Sequence, residues 1–260
     1  MPEEMTQDHV IYRLEDHVAR IIINRDEQRN TITVEAIALF LSYLDRAEAD
    51  QAVRAVLITG AGEKAFCTGA QLGDGVSAEG KKAFEDYARL LKRLATFPKP
   101  TVARVKGFCL AGGMGFMLAC DIVVASEDSR FGTPEVNVGL WPMMIGALIF
   151  RNVPRKKAME MILLGERLDA QAALGMGLIT RVVPVDKLDG EVNAILQNLA
   201  AKSPIGIKLG KQAFQECAEM SLEEALDNLA MKFLAVASTE DAREGITAFI
   251  EKRKPKFTGR

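Results

Sequence analysis

Gly107-Phe-Cys-Leu-Ala-Gly-Gly-Met-Gly-Phe-Met-Leu-Ala-Cys-Asp121 is glycine-rich as far as Gly115 and apolar after it. It predicts a tight loop opening into a helix at Phe116-Met-Leu-Ala119. Two short β-branched runs flank it, Thr101-Val-Ala-Arg-Val105 and Ile122-Val-Val-Ala125, and both read as buried strands. Upstream, Phe84, Tyr87, Leu91 and Leu94 recur at helical spacing, and Pro98 and Pro100 stop that helix. Val53-Arg-Ala-Val-Leu-Ile-Thr59 is another buried strand. Thr33 caps a helix whose apolar face is Ile37, Phe40, Leu41 and Leu44. Val10-Ile-Tyr-Arg-Leu14 and Val18-Ala-Arg-Ile-Ile-Ile23 form a hairpin pattern. Downstream of Pro154 the pattern is helical apart from Leu178-Ile-Thr-Arg-Val-Val183. Strands thus alternate with helices to about residue 185, which predicts an α/β domain with parallel strands. Amphipathic helices follow near 186–200, 204–219, 221–236 and 239–251. Met220, Leu226, Leu229, Met231, Phe233 and Leu234 exceed what a lone helical tail needs and predict oligomer contacts.

The chain has 260 residues, 48% hydrophobic and 26% charged, with a formal net charge of −2. That is an ordinary globular mix. Nothing in the balance marks a polyanion binder, so no nucleic-acid partner is expected. No stretch approaches the roughly 18 apolar residues of a membrane span. The first eight residues are acidic and polar, which predicts neither a signal nor a transit peptide and a cytoplasmic location. Cys67, Cys109, Cys120 and Cys217 form no CxxC pair, and the 2 histidines, His9 and His17, lie in a polar leader and a hairpin turn. No metal site is expected, and the cysteines read as reduced, buried thiols.

Several motifs compete for a function. Gly60-Ala-Gly62-Glu-Lys-Ala65 fits a dinucleotide fingerprint, but Phe66-Cys-Thr-Gly-Ala-Gln-Leu-Gly-Asp-Gly75 follows it instead of the helix that must hold the pyrophosphate. There is no GxSxG elbow and no P-loop. Gly69-Ala70 and Ala111-Gly112-Gly113-Met114-Gly115 place glycines where a backbone can approach a ligand. A helix start also leaves N–H groups without intrahelical partners. Two such amides from different loops can stabilise one oxyanion, each worth about 2.7–4 kcal/mol; alternatively the glycines only allow tight packing. Glu135, in Phe131-Gly-Thr-Pro-Glu135, precedes an apolar run. It is either a capping or surface charge, or a base whose pKa burial has raised.

Taken together, Lys64-Ala-Phe-Cys-Thr-Gly-Ala-Gln-Leu72 and the 107–121 segment strongly resemble the two signature segments of the enoyl-CoA hydratase/isomerase (crotonase) family. Phe131-Gly-Thr-Pro-Glu-Val-Asn-Val-Gly-Leu140 resembles the third. Asn24-Arg25 with Asn30, the 165–184 region, and Phe249-Ile-Glu-Lys-Arg-Lys254 also fit, so the resemblance runs from about residue 10 to 257. It implies a ββα spiral core over residues 1–200 that carries an acyl-CoA site. It further implies a helical region over 201–260 that trimerises, often into a dimer of trimers, and covers CoA. Coenzyme A is then part of the substrate, and no separate cofactor is implied.

By motif position, Ala70 and Gly112 supply the two amides to the thioester carbonyl, with Gly113 beside them. Thr68, Gln71 and Leu72 line the adenosine end of CoA, and Lys64 or Arg29 meets a phosphate. Phe249 and Lys252 close over the nucleotide from a neighbouring subunit. Trp141, with Phe84, Tyr87 and Met114, shapes the acyl pocket or packs in the core. The chain departs from the family's hydratases in three places: their first glutamate falls on Gly115, Gln71 replaces a common aspartate, and Trp141-Pro-Met143 replaces a proline-glycine-rich stretch. With Glu135 as sole acid/base, double-bond isomerisation or a related enolate reaction is favoured over hydration. Hydration would need a substitute such as Asp74, Glu79 or Glu85. A homologue that binds acyl-CoA or a partner without turnover is the third reading.

Overall fold

The computed structural model describes residues 8–70 and 77–260. The N-terminal hairpin is β1 (Val10–Glu15) and β2 (Val18–Ile23), paired antiparallel. Next to it lie β3 (Ala55–Gly60), β5 (Thr101–Val105), β7 (Ile122–Ser126) and β10 (Arg181–Val183), all parallel, completing a six-stranded sheet in the order β1-β2-β3-β5-β7-β10. β3 shows why this sheet is apolar on both sides. Val56 and Ile58 join the main core, while Ala55 and Leu57 face a second cluster capped by Leu188, Val192, Ile195 and Leu196 of α7 (Leu188–Ala200). Side chains alternate with period two, so a strand covered on both faces reads as a continuous apolar run.

A second sheet of four very short strands runs in the order β4-β6-β8-β9: β4 (Ala65–Cys67), β6 (Phe108–Leu110) and β8 (Arg130–Gly132) are parallel, and β9 (Leu168–Asp169) is antiparallel. Three successive turns of the chain each give one strand to each sheet and then a helix. Thus β3 and β4 lead to α2 (Ala78–Ala95), and β5 and β6 lead to α3 (Gly112–Leu118). β7 and β8 lead to a 3-10 turn at Pro134–Val138 and then α4 (Met143–Asn152), with α5 (Arg155–Leu164) and α6 (Ala170–Gly175) following before α7. This is the expected ββα spiral, with β6 lying inside a segment that the sequence read only as loop. α3 also begins at Gly112 rather than at Phe116. Gly113 and Gly115 are buried, and packing outweighs glycine's weak helix propensity.

Asn30 fixes the spiral's first turn. Its buried side chain accepts from the Arg25 N–H (2.9 Å) and donates to the carbonyls of Ala61 (2.9 Å) and Ala65 (2.6 Å). The Ile32 N–H donates to the Gly69 carbonyl (2.9 Å), and the Thr68 N–H to that of Arg29 (3.2 Å). Residues 29–32 therefore template the 68–70 segment. The dinucleotide-like Gly60–Ala65 stretch is the loop into β4, and the helix after it starts only at Ala78.

Three helices close the described chain: α8 (Pro204–Cys217), α9 (Leu222–Ala237) and α10 (Glu240–Ile250). Their apolar side chains stay exposed, among them Leu226, Met231, Phe233 and Leu234 of α9, while Met220 is exposed just before it. Leu229 is half-buried. Among the described residues no helix is long and apolar enough to cross a membrane, and no group of three His, Cys, Asp or Glu could hold a metal. His17 is exposed. His9, in the polar leader, is half-buried, its Nδ1 2.8 Å from Thr33 Oγ1 at the N-cap of α1 (Val34–Ala49).

Candidate active site

A cavity of about 750 Å³ opens where Ala70 after β4, α2, the start of α3 and the 134–145 segment meet. Ala70, Gly112 and Glu135 all line it. The first two come from loops that touch. A Cβ placed on Gly112 would lie 3.4 Å from the Ala70 nitrogen, and one on Gly69 would lie 3.8 Å from the Gly112 nitrogen. Gly69 holds φ at +124°, a conformation that side chains rarely adopt. Ala111 has φ +48° and ψ −133°, and its N–H donates to the Gly132 carbonyl (2.9 Å). Strain of this kind at a non-glycine residue costs about 1–3 kcal/mol and persists only where its surroundings enforce it. Here it turns the chain sharply between β6 and α3. Gly112 is the first residue of α3, so its N–H has no intrahelical acceptor. Among the described residues, neither the Ala70 nor the Gly112 amide donates to a turn, loop or cap carbonyl.

Glu135 follows β8 in the first turn of the 3-10 helix, after Pro134. Its carbonyl accepts from the Leu140 N–H (3.0 Å), and Gly139 ends the turn at φ +77°. The side chain is half-buried, and Oε2 is fully buried with no hydrogen-bond partner. Desolvation pushes its carboxyl above the usual glutamate range, and its own backbone N–H offsets part of that rise. This favours the desolvated-base reading over a capping or surface charge. Among the described residues Glu135 is the only carboxylate lining the cavity. Glu79 and Glu85 are exposed, and Glu85 lies 3.9 Å from Lys81. Neither reaches the cavity, so neither replaces a second carboxylate. Gln71, Leu72 and Asp74 lie outside the described residues.

The rest of the lining is apolar, with Phe84, Leu140, Trp141, Met143 and Ile145 prominent. Trp141 is 40% exposed. Of the residues read as pocket or core, Met114 is fully buried in the core. Gly113, expected to contact substrate, does not line the cavity. A Cβ there would strike the Cys67 carbonyl, so its glycine is a packing requirement between α3 and β4. Thr68 is half-buried, and its hydroxyl donates to the Arg29 carbonyl at 3.2 Å. Lys64 and Arg29 are exposed, with Arg29 at φ +52°. Phe249, 84% exposed, and Lys252 lie at the end of α10 and do not line this chain's cavity. All four cysteines are free. Cys67 and Cys109 are buried, and burial pushes the Cys67 thiol up to about 12, too high for a thiolate nucleophile at neutral pH. Cys120 and Cys217, expected to be buried, are only partly so.

Tyr87 is the group that sequence periodicity placed without its role. Its ring packs edge-on to Phe116 at 5.8 Å, its hydroxyl donates to the Gly112 carbonyl, and it lines the cavity. A helical apolar face is legible from spacing, but the partner of a phenol on that face is not.

The enoyl-CoA hydratase/isomerase family profile matches residues 13–260. The chain belongs to the enoyl-CoA hydratase/isomerase family. A Thermus thermophilus member provisionally named enoyl-CoA hydratase is 38% identical over 247 residues, covering 93% of this chain and 97% of its own. The short-chain-enoyl-CoA hydratase of Clostridium acetobutylicum is 34% identical over 254 residues, covering 96% and 97%. The crystal structure of enoyl-CoA hydratase from Mycobacterium smegmatis superposes with a TM-score of 0.91 at 31% identity, covering 96% of this chain and 99% of that one. The ββα spiral is thus the family's crotonase fold, and the family's enzymes are of hydratase/isomerase type.

Proposed function

We propose that the cavity binds an acyl-CoA thioester and stabilises its enolate, with Glu135 as the only acid/base, and that the reaction is enoyl-CoA double-bond isomerisation. A glutamate near its ordinary pKa of about 4.3 is too weak to take a proton from carbon beside a thioester. Two changes reduce that mismatch. Amides from Ala70 and Gly112 lower the energy of the enolate oxygen, and burial strengthens the base. In the isomerisation, Glu135 takes a proton from C2 of a 3-enoyl thioester, and the electron pair delocalises into a dienolate. The same carboxyl returns its proton to C4, leaving the double bond between C2 and C3. One carboxylate suffices for this, whereas clamping a water for hydration calls for a second group. The observation that carries the reading is that Glu135 is the only carboxylate on the cavity wall among the described residues.

Hydration of a 2-enoyl thioester is the second reading, favoured by the hydratase names of relatives 33–38% identical to this chain. Separate incubations with 3-enoyl-CoA and 2-enoyl-CoA decide between them. Gain of conjugated-enoyl absorbance from the first supports isomerisation, and loss from the second means hydration. Silence in both with CoA still bound leaves a binding protein. We also propose trimers or dimers of trimers, supported by the exposed apolar side chains of α9 and by Phe249. A monomer in sedimentation at micromolar concentration overturns that. In such an assembly Phe249 and Lys252 close over the CoA nucleotide of a neighbour, while Thr68, Lys64 and Arg29 line its path within the chain.

A further inference from the structure

Tyr87 lies in α2 with only 2% of its surface exposed, yet its hydroxyl reaches the start of α3 and donates to the Gly112 carbonyl. That carbonyl belongs to the same residue as one of the two amides in the proposed oxyanion site. Gly112 has no side chain to limit its backbone, so its orientation depends on what holds its own atoms. The hydroxyl is tightly enclosed. A Cβ on Gly115 would lie 2.6 Å from it, and one on Gly112 would lie 3.2 Å from it. The glycines at 112 and 115 therefore leave the space that one phenol oxygen fills. Burial, with the nearby Cys67, Cys109 and Glu135, holds the phenol well above its usual pKa. It remains a proton donor to the backbone through the neutral range.

We infer that Tyr87 is a positioning residue for the enolate step: by tying down the Gly112 carbonyl, its hydroxyl sets the direction in which the Gly112 amide enters the cavity. The same oxygen, with Ile145 Cγ2 at 2.9 Å and Leu91 Cδ2 at 3.0 Å from a Cβ on Gly115, fills the volume that any side chain at 115 would need. Tyr87 and Gly115 therefore act as a pair, which keeps the α3 wall free of a second polar side chain at that place. The inference rests on the oxyanion reading above, and its test separates the two.

The test uses Tyr87→Phe, which keeps the ring and its packing on Phe116 and removes only the hydroxyl. The probe is acetoacetyl-CoA, whose enolate absorbs in the ultraviolet, titrated with pH while bound. Wild-type protein is expected to lower the probe's ionisation pKa below its value in water. Tyr87→Phe should give back about one unit of that shift, a tenfold weaker grip on the enolate. The Kd of a saturated acyl-CoA should stay within about threefold, and kcat on the turned-over substrate should fall about tenfold with KM nearly constant, since only a transition-state interaction is weakened. If Tyr87→Phe proves unstable, Gly115→Ala keeps the phenol but pushes its oxygen off the Gly112 carbonyl, and should give the same loss. A wild-type shift retained in full by either folded variant overturns the role of Tyr87 alone. A wild-type protein that leaves the probe's pKa unchanged overturns the oxyanion reading, and this inference with it.

Discussion

The cavity has two unlike walls. The wall of α2 and α3, lined by Phe84, Tyr87 and Gly112, is backed by close packing: Tyr87 is almost fully buried, Gly113, Met114, Gly115 and Phe116 behind it have almost no exposed surface, and a Cβ on Gly113 or Gly115 would meet an atom of a neighbouring element. The wall from Pro134 to Ile145 is open, with Val138, Leu140, Trp141 and Met143 exposed around the half-buried Glu135. Close-packed atoms hold a backbone amide to within tenths of an ångström, as electrostatic stabilisation of a transient charge requires. A loosely packed apolar rim can change shape without disturbing the fold. On the proposed reading, the fixed chemistry belongs to the first wall and acyl selection to the second, with Glu135 reaching across from the second.

The largest expected effect comes from the residue that bridges the walls. Glu135→Gln should lower turnover by about 10³-fold or more, the scale of a lost acid/base, while acyl-CoA Kd measured by calorimetry changes little. Retained turnover would remove Glu135 from the chemistry. Next come the two neighbouring glycines, which separate fold from function on the buried wall. Gly112→Ala places its Cβ 3.2 Å from the Tyr87 hydroxyl and 3.4 Å from the Ala70 nitrogen, so the protein should fold while kcat falls by about 10²-fold. Gly113→Ala drives its Cβ into the Cys67 backbone and should cost about 1–3 kcal/mol or more of stability, read as a lower Tm. Equal Tm values for the pair would contradict the assignment.

The fold was legible where periodicity had room to operate. The hairpin, the parallel strands β3, β5 and β7, the helix that Thr33 caps and the C-terminal helices all carry patterns of five or more residues. The second sheet followed from the family resemblance and was not legible from periodicity. Its strands β4, β6 and β8 have 3 residues each and β9 has 2, too few to show an alternation. Ala70, Gly112 and Glu135 were legible as a set because three motifs resemble one family in order and spacing, and the fold brings all three to one cavity. Gly113 does not line the cavity beside Gly112, because sequence adjacency says nothing about which way a helix turn faces. The Tyr87–Gly112 bond joins residues 25 apart across two elements, and no local signal encodes it.

Smaller effects test the open wall. Burial raises the Glu135 carboxyl, and the base must be ionised to act. The acid limb of kcat/KM should therefore lie above the ordinary glutamate value of about 4.3. The same shift means the folded state holds this proton more tightly than the unfolded state does. The stabilisation is complete below the unfolded pKa and is lost as pH rises through the folded one. Glu135→Gln should therefore gain Tm relative to wild type across that window. An acid limb at the free-glutamate value would place the carboxylate in solvent. The smallest effect is expected at the rim: Trp141→Ala should raise KM for bulky acyl chains by up to about tenfold, with kcat and Tm close to wild type.

The most direct test of the central claim is a crystal structure of Glu135→Gln with a bound 3-enoyl-CoA. The thioester oxygen should sit about 2.7–3.1 Å from both the Ala70 and Gly112 nitrogens, with C2 facing the residue 135 side chain. A thioester oxygen held by neither amide, or a C2 turned away from residue 135, would contradict the account.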